Sequence, residues 1–468
     1  MEKTVHKALS SGNMSWGLLF VLCGAIFLEG IDVSMIGVAL PSIRAELGMS
    51  TGSLQWVVSA YVLGYGGFML LGGRAADLFG RRKMFLFWLT VFLVFSGLGG
   101  LATEGWMLIV ARFVTGISAA FMTPAGLSII TTSFAEGPAR NKALLVYAGT
   151  AAAGFSLGLV VGGLLSELSW RWVFYGPVLL AFVILLAAFR LIPESGRPES
   201  SAKGFDLAGA ISVTGAMLVL VYGVVEASNM GMIWSIGALA CSAVLLGIFI
   251  AIERRSAYPL VRLGIFANRS LVRANLGAML FAGSFFGFQF VAILYLQELR
   301  GWTSLETGLA LLAVGIDSVL APTLTPKLVN RFGNIPVIFG GFCLAAIAYA
   351  LFLPIGLDWT YAAMFPTMIL TGIAFSLTYG PLTIAATDGI AEEEQGLASG
   401  LLNTSFQFGA ALGLAVVTAV SIAATGFDRT PQALLDGYRT AMIVPIAATI
   451  LSIIITAPGL RKRASVIT

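Results

Sequence analysis

The 468-residue chain is expected to be an all-α polytopic membrane protein. It should hold two six-helix halves related by a repeat, with two further helices inserted between them and both termini cytoplasmic. Three observations predict this. Hydrophobic residues make up 58% of the chain and charged residues only 11%, against roughly 45–50% and 25% in soluble domains. No soluble core hides such an excess, so lipid is the natural solvent. Fourteen apolar stretches approach the roughly 20 residues that a spanning helix needs. Finally, short motifs recur at a separation of 253–256 residues.

In chain order the stretches are 16–38, 54–72, 84–102, 106–128, 143–165, 172–192 and 207–227, followed by 233–252, 274–297, 305–326, 335–356, 361–385, 396–423 and 438–458. The first carries Glu29 and Asp32 and lacks a small-residue cleavage site, so it reads as a retained helix and not a signal peptide. With the N-terminus inside, 21 Lys and Arg fall in cytoplasmic segments. Five fall outside (Arg44, Arg171, Arg300, Arg429 and Arg439), and Arg112 alone lies within a span. That bias follows the positive-inside rule and supports an even number of spans in the cell (plasma or inner) membrane.

The repeat places the extra pair. Gly73-Arg-Ala-Ala-Asp77-Leu-Phe79-Gly80 is echoed by Pro326-Lys-Leu-Val-Asn330-Arg-Phe332-Gly333. Thr115-Gly116-Ile117 recurs as Thr371-Gly372-Ile373, and Leu157-Gly158-Leu159 as Leu412-Gly413-Leu414. Spans 1–6 and 9–14 are therefore copies of one unit, with domains expected at 1–203 and 256–468 and a two-helix insert at 204–255. Parallel repeats with a site between them are the architecture of a rocker-type transporter.

Other classes fall away. The sole histidine, His6, leaves no His-rich metal site and no His-based triad. Cys23, Cys241 and Cys343 lie in apolar runs without CxxC spacing. There is no GxxxxGK[ST] to cradle a nucleotide. The near balance of 27 basic and 23 acidic residues argues against nucleic acid as partner. No enzyme, metal or cofactor is expected, and the chain carries no P-loop of its own to burn ATP.

The loop Gly73-Arg-Ala-Ala-Asp77-Leu-Phe-Gly80-Arg81-Arg82-Lys83 combines a turn residue with a mixed-charge cluster suited to a conformational latch, or simply to positive-inside anchoring. Its residue order resembles the signature loop of the major facilitator superfamily, Gly-x-x-x-Asp-x-x-Gly-Arg-Arg. Leu28-Glu-Gly-Ile-Asp32-Val-Ser-Met-Ile-Gly-Val-Ala-Leu-Pro41 resembles the first-helix motif of that superfamily's 14-helix drug:proton antiporters. Leu54-Gln-Trp-Val-Val-Ser-Ala-Tyr61-Val-Leu63 and Ala111-Arg112-Phe-Val-Thr-Gly116 are similar to their second- and fourth-helix motifs. The resemblance implies a major facilitator fold and multidrug, antiseptic or antibiotic efflux. One position departs from it. Gly154-Phe-Ser-Leu-Gly158-Leu159-Val-Val-Gly162-Gly163 has leucine where the antiporter motif has proline. Gly154, Gly158, Gly162 and Gly163 still form a small-residue face for close helix packing.

Ionisable residues inside a span cost about 2.5–3.5 kcal/mol on insertion scales and are functional candidates by default. Asp32 and Arg112 each lie six residues from the outer end of their spans, roughly 9 Å deep at 1.5 Å per residue. Equal depth allows them to pair, either as a proton-coupling site or as a structural ion pair. Glu29, three residues before Asp32, shares its face. Asp317 lies mid-membrane in span 10 without a basic neighbour in sequence. Some members of the resembling family carry an acid in this helix as a contact for dicationic substrates, so the resemblance implies a substrate or proton role for Asp317, with a structural hydrogen bond as the alternative. Gln289, Tyr379, Asn403 and Gln407 are further substrate candidates, with helix packing as the alternative. Most Trp and Phe residues are expected at lipid or at the membrane interface.

The function expected is proton-coupled antiport that exports amphipathic, cationic small molecules by alternating access, with a monomer favoured. One charge crossing about 150 mV is worth roughly 3.5 kcal/mol. Exporting a monocation with electrical drive then needs at least two protons, and Asp32, Asp317 and Glu29 supply enough acids. The alternative is import or facilitated passage of a neutral or anionic metabolite on the same fold. Leu159 is the main feature in its favour.

Overall fold

The computed structural model describes residues 12–134, 138–194, 206–226, 232–426, 428 and 430–467. Fourteen of its helices are long and apolar enough to cross a membrane, and no strand occurs among the described residues. Spans 1–9 are α1 (Gly12–Leu47), α2 (Thr51–Phe79), α3 (Arg81–Gly100), α4 (Gly105–Ser133), α5 (Pro138–Leu168), α6 (Trp172–Leu191), α7 (Leu207–Val225), α8 (Met232–Arg255) and α9 (Arg269–Leu294). Span 10 comprises α10 (Ser304–Leu311), α11 (Asp317–Thr323) and α12 (Thr325–Phe332). Spans 11–13 are α13 (Asn334–Phe352), α14 (Tyr361–Thr387) and α15 (Glu392–Thr425), and span 14 is α16 (Pro431–Ala441) with α17 (Ile443–Ile467).

The sequence predicts single helices for spans 10 and 14, and both are interrupted. In span 10 a 3-10 stretch, Leu312–Ile316, precedes α11. Pro322 inside α11 and Pro326 at the start of α12 each lack the amide that would continue the helix. Thr325 Oγ1 instead donates to the Ser376 carbonyl of α14 at 3.1 Å. Residues 327–332, expected in the connecting loop, are helical up to Gly333.

Equivalent helices pack in equivalent ways. α1 lies against α5 and α6, and α9 against α15 and α17; α3 packs on α4 and α6, and α13 on α14 and α17. The recurring glycines sit at matching contacts. A Cβ on Gly116 would lie 2.1 Å from the Tyr61 carbonyl oxygen of α2, and one on Gly372 would lie 2.1 Å from the Val314 carbonyl oxygen of span 10. Gly80 and Gly333 close the two echoed loops with φ of +95° and +85°, a region that disfavours any side chain. The expected domain boundary at 203/204 lies outside the described residues.

Two seams join the halves, α2 with α15 and α5 with α10. α7 packs on α2 and α15 at the first seam, and α8 packs on α7 at the periphery. The outer ends are locked together. Arg44 Nη1 donates to both Glu298 carboxylate oxygens at 2.8 Å. Gln297 Nε2 donates to the Val38 carbonyl at 2.9 Å, and the Leu305 amide donates to Glu167 at 3.1 Å. The side closed by these contacts is the outer one.

Candidate functional site

The turn of α1 that carries Glu29 and Asp32 is held by close backbone approach. A Cβ on Gly154 of α5 would lie 2.7 Å from the Phe27 carbonyl oxygen. One on Gly158 would meet Ser34 Oγ at 2.0 Å, and one on Gly162 would meet Met35 Cα at 2.6 Å. The three glycines at i, i+4 and i+8 therefore form a groove for α1. Gly163 faces elsewhere, against Ser304 and Leu305 of the other half. Leu159, in the proline's place, is buried within an α5 that runs unbroken to Leu168. Its carbonyl receives Gly308, where a Cβ would lie only 2.2 Å away.

Asp32 and Arg112 meet. Arg112 Nη1 donates to Asp32 Oδ2 at 2.6 Å, with both side chains 2% exposed. Arg112 Nε donates to the Val57 carbonyl at 3.2 Å, and its guanidinium lies 4.4 Å from the Tyr61 ring centre. The cation is thus satisfied by a carboxylate, a carbonyl and a π face, as a buried charge requires. Glu29, 5% exposed, makes no ion pair with a described residue. Thr123 Oγ1 lies 2.8 and 2.7 Å from its two oxygens, and the Tyr65 hydroxyl donates to it at 3.4 Å. Thr123 Oγ1 also reaches the Ala119 carbonyl at 2.9 Å and the Tyr65 hydroxyl at 3.0 Å. Tyr61 and Tyr65 pack edge to face at 6.0 Å, so the two acids share one connected cluster from α1, α2 and α4. Thr123 and Tyr65 were not singled out from sequence. Tyr65 lies one turn beyond Tyr61, which was the available signal; Thr123 had none beyond being polar within a span.

In the other half Tyr379 and Asn403 come together, the hydroxyl donating to Asn403 Oδ1 at 2.8 Å. Gln407 lies against Gly66 of α2, across the seam. Gln289 is buried with Nε2 lacking a partner. Asp317 stands apart at the start of α11, beside its own amide and that of Ser318. It makes no ion pair with a described residue.

For phenylalanine the expectation of a place at lipid or at the membrane interface is corrected: more phenylalanines are buried than exposed among the described residues, whereas Trp16, Trp106, Trp172 and Trp234 are exposed and Trp170 is buried. The reason is a set of aromatic stacks that fills the second half. Phe285 and Phe375 approach to 4.8 Å between ring centres, Phe375 stacks on Tyr379 at 5.6 Å, and Tyr379 meets Phe406 at 5.1 Å. Phe155 of α5 reaches Phe285 at 6.3 Å from the opposite half.

The signature segment, expected as a loop, is helical on both sides of Gly80, with 73–79 ending α2 and 81–83 opening α3. There Arg82 donates to the Phe189 carbonyl at 2.8 Å and pairs with Glu194 at 3.2 Å, tying α3 to the end of α6. A Cβ on Gly73 would make an ordinary contact with Pro124 Cβ at 3.9 Å, and Arg81 opens α3. The Asp77 side chain lies outside the described residues.

Residues 22–414 match the family model of the Major Facilitator Superfamily. The puromycin resistance protein pur8 of Streptomyces alboniger is 34% identical over 457 residues, 94% of this chain and 90% of that one. The cephamycin export protein CmcT of Amycolatopsis lactamdurans is 34% identical, covering 94% and 92%. The lincomycin resistance protein of Streptomyces lincolnensis is 33% identical, covering 96% and 93%. Among solved structures, the nucleoside transporter NupG superimposes with a TM-score of 0.70 at 13% identity, over 95% of this chain and 99% of that one. A bacterial homologue of the human lysosomal transporter Spinster, inward-facing and occupied, gives 0.69 at 17% identity, over 95% and 96%. A family match that spans most of the chain, curated relatives that confer antibiotic resistance, and a fourteen-span fold agree: the chain is a multi-pass membrane transport protein, not an enzyme, and belongs to the Major Facilitator Superfamily.

Proposed function

We propose that the chain is a proton-coupled antiporter that exports amphipathic, cationic small molecules, antibiotics or antiseptics among them, by alternating access. Residues 1–203 and 256–468 act as two rocking units, and 204–255 is an insert that rides at their seam. The relatives' export and resistance roles support the direction. The observation that carries the proton coupling is the contrast between the two acids of α1. Asp32 has a buried cation at 2.6 Å and keeps its charge neutralised. Glu29 has hydroxyls instead, and a hydroxyl can donate to a carboxylate or accept from a carboxylic acid. With Glu29 charged, Thr123 donates to it. With Glu29 neutral, Glu29 donates to Thr123, which turns its own proton to the Ala119 carbonyl. The cluster therefore tolerates both protonation states without an orphaned group. Protonation of Glu29 removes a negative charge one turn from Asp32 and so changes the field at the Arg112 contact that ties α1 to α4.

Substrate would lie between the halves, against the Phe285, Phe375, Tyr379 and Phe406 rings, with Asn403, Gln407, Gln289 and Asp317 as polar contacts. Aromatic faces attract cations by their quadrupole, and Asp317 is the unpaired carboxylate available to a second positive charge. Import of an anion finds no support, because Arg112 is already held by Asp32, Val57 and Tyr61.

The test uses purified protein in liposomes that enclose a pH-sensitive dye. An imposed proton gradient is followed by a panel of lipophilic mono- and dications, for wild type, Glu29→Gln, Asp32→Asn and Asp317→Asn. The expected result is cation-triggered proton flux in wild type that is lost in Glu29→Gln and Asp32→Asn. Wild type without cation-dependent flux would overturn the antiport reading.

A further inference from the structure

Three elements converge at the cytoplasmic end of the insert, away from the cluster of α1, α2 and α4. They are the cap of α7 (Asp206), the last turn of α8 with the loop that follows it (Glu253, Val261), and the end of α2 (Arg74). Asp206 and Glu253 are 8% and 4% exposed. One oxygen of each has a structural task. Asp206 Oδ1 accepts the Gly209 amide at 2.8 Å, and Glu253 Oε2 accepts the Val261 amide at 3.1 Å. The other oxygens, Asp206 Oδ2 and Glu253 Oε1, are buried with no hydrogen-bond partner. Both carboxyls border one small space. A Cβ on Gly209 would lie 2.9 Å from Glu253 Oε1 and 3.1 Å from Asp206 Cγ, so those two atoms are within 6 Å of each other. Glycine at 209 leaves that space open.

Among the described residues, the nearby cations are engaged elsewhere. The Arg74 guanidinium donates to the Tyr258 carbonyl at 2.7 Å and to the Pro259 carbonyl. Arg262 pairs with Glu394 of α15 at 3.1 Å. Neither acid makes an ion pair with a described residue. Among the described residues, two carboxylates beside one guanidinium leave one uncompensated negative charge. A buried charge in that position is strongly unfavourable unless something neutralises it.

We propose that Asp206 and Glu253 bind one singly charged cation, a proton or an alkali metal ion, between Asp206 Oδ2 and Glu253 Oε1. Asp206 is engaged as the cap of α7 through Oδ1, so a bound proton is assigned to Glu253. Occupancy removes the repulsion between the start of α7 and the end of α8. It also leaves Arg74, in the signature loop, free to hold the loop after α8. The site is thus a clamp between the insert and the first half, independent of which substrate the transporter carries.

The full chain in lipid nanodiscs, in a buffer whose only cation is bulky and organic, tests this. Infrared spectra of wild type, Glu253→Gln and Asp206→Asn are compared across pH, and thermal unfolding is followed as Na⁺ or K⁺ is added. Gln keeps an oxygen for the Val261 amide, and Asn is itself a good helix cap, so either variant can serve if the other fails to fold. If a proton is the occupant, wild type minus Glu253→Gln shows the carbonyl-stretch band of a protonated carboxylic acid at neutral pH. In Asp206→Asn that band disappears at lower pH. If a metal ion is the occupant, the band is absent and added alkali ion raises the wild-type unfolding temperature but not that of the variants. Neither the band nor a cation-dependent shift in wild type, or the same response in wild type and both variants, overturns the proposal.

Discussion

In the first half Asp32 is neutralised by a buried cation, whereas in the second half Asp317 makes no ion pair with a described residue. Asp32 is matched by Arg112 at 2.6 Å and boxed in by Val57 and Tyr61. Asp317 sits where α11 restarts after a 3-10 stretch and has only helix amides beside it. Around Tyr379 the second half is lined by Phe375 and Phe406, while around Glu29 the first half supplies the hydroxyls of Thr123 and Tyr65. The difference teaches that the pseudo-repeat duplicates the scaffold and not the chemistry. Gly116 and Gly372 make the same contact with their neighbours, while the acids occupy unlike places.

The largest effect that would break this contrast is removal of one partner of the buried pair. Arg112→Gln leaves Asp32 uncompensated and should destabilise the protein by about 3–5 kcal/mol. Detergent-solubilised protein would show a much lower unfolding temperature. The double variant Arg112→Gln with Asp32→Asn should recover most of the loss. If the single variant is as stable as wild type, the pair is not a neutralising device.

Next in size is the scaffold that the halves share. Gly413→Ala places a Cβ 2.2 Å from Gly283 Cα, where only backbone can yield. Gly158→Ala meets Ser34 Oγ first, and that side chain can rotate. Both should destabilise by about 1–3 kcal/mol, as overpacking does, with Gly413→Ala the worse. Equal unfolding temperatures for the two variants would contradict the contact geometry.

A smaller effect is expected at the outer ion pair. Arg44 and Glu298 are 24% and 20% exposed, so Arg44→Gln should lower stability by no more than about 1 kcal/mol. It should still favour opening at that side, which is readable as faster labelling of a cysteine placed at Val38. Unchanged labelling would mean that the outer seal rests on the backbone contacts at Gly163 and Gly308. The smallest effect is Asp317→Asn. An acid with no ion pair has no partner to strand, so stability should stay within about 0.5 kcal/mol. Proton flux driven by dications should fall while flux driven by monocations persists. Equal loss for both would place Asp317 in coupling and not in substrate choice.

The fourteen spans, the repeat and the insert were legible in the sequence because hydropathy and local motifs are properties of contiguous residues. The interruption of span 10 was partly written there, in Pro322 and Pro326, yet the 3-10 stretch before Asp317 depends on Val314 and Gly315 fitting against Gly372 and Ser156. Asp32, Arg112 and Glu29 were recognisable as charges in the wrong solvent. Their division of labour was not, because it turns on Thr123 and Tyr65, which arrive from other helices.

By itself the sequence determined that this chain crosses a membrane fourteen times, which side its basic loops favour, and which residues are too polar to lie in lipid without a purpose. Only the tertiary structure decided that Arg112 is spent on Asp32, that Glu29 rests among hydroxyls, that phenylalanines fill the second half, and that Asp206 and Glu253 border one space. Local hydropathy sets where a helix lies along the membrane normal. The rotation and partner of each helix are set by side-chain packing between residues far apart in sequence, and that is where the chemistry is assembled.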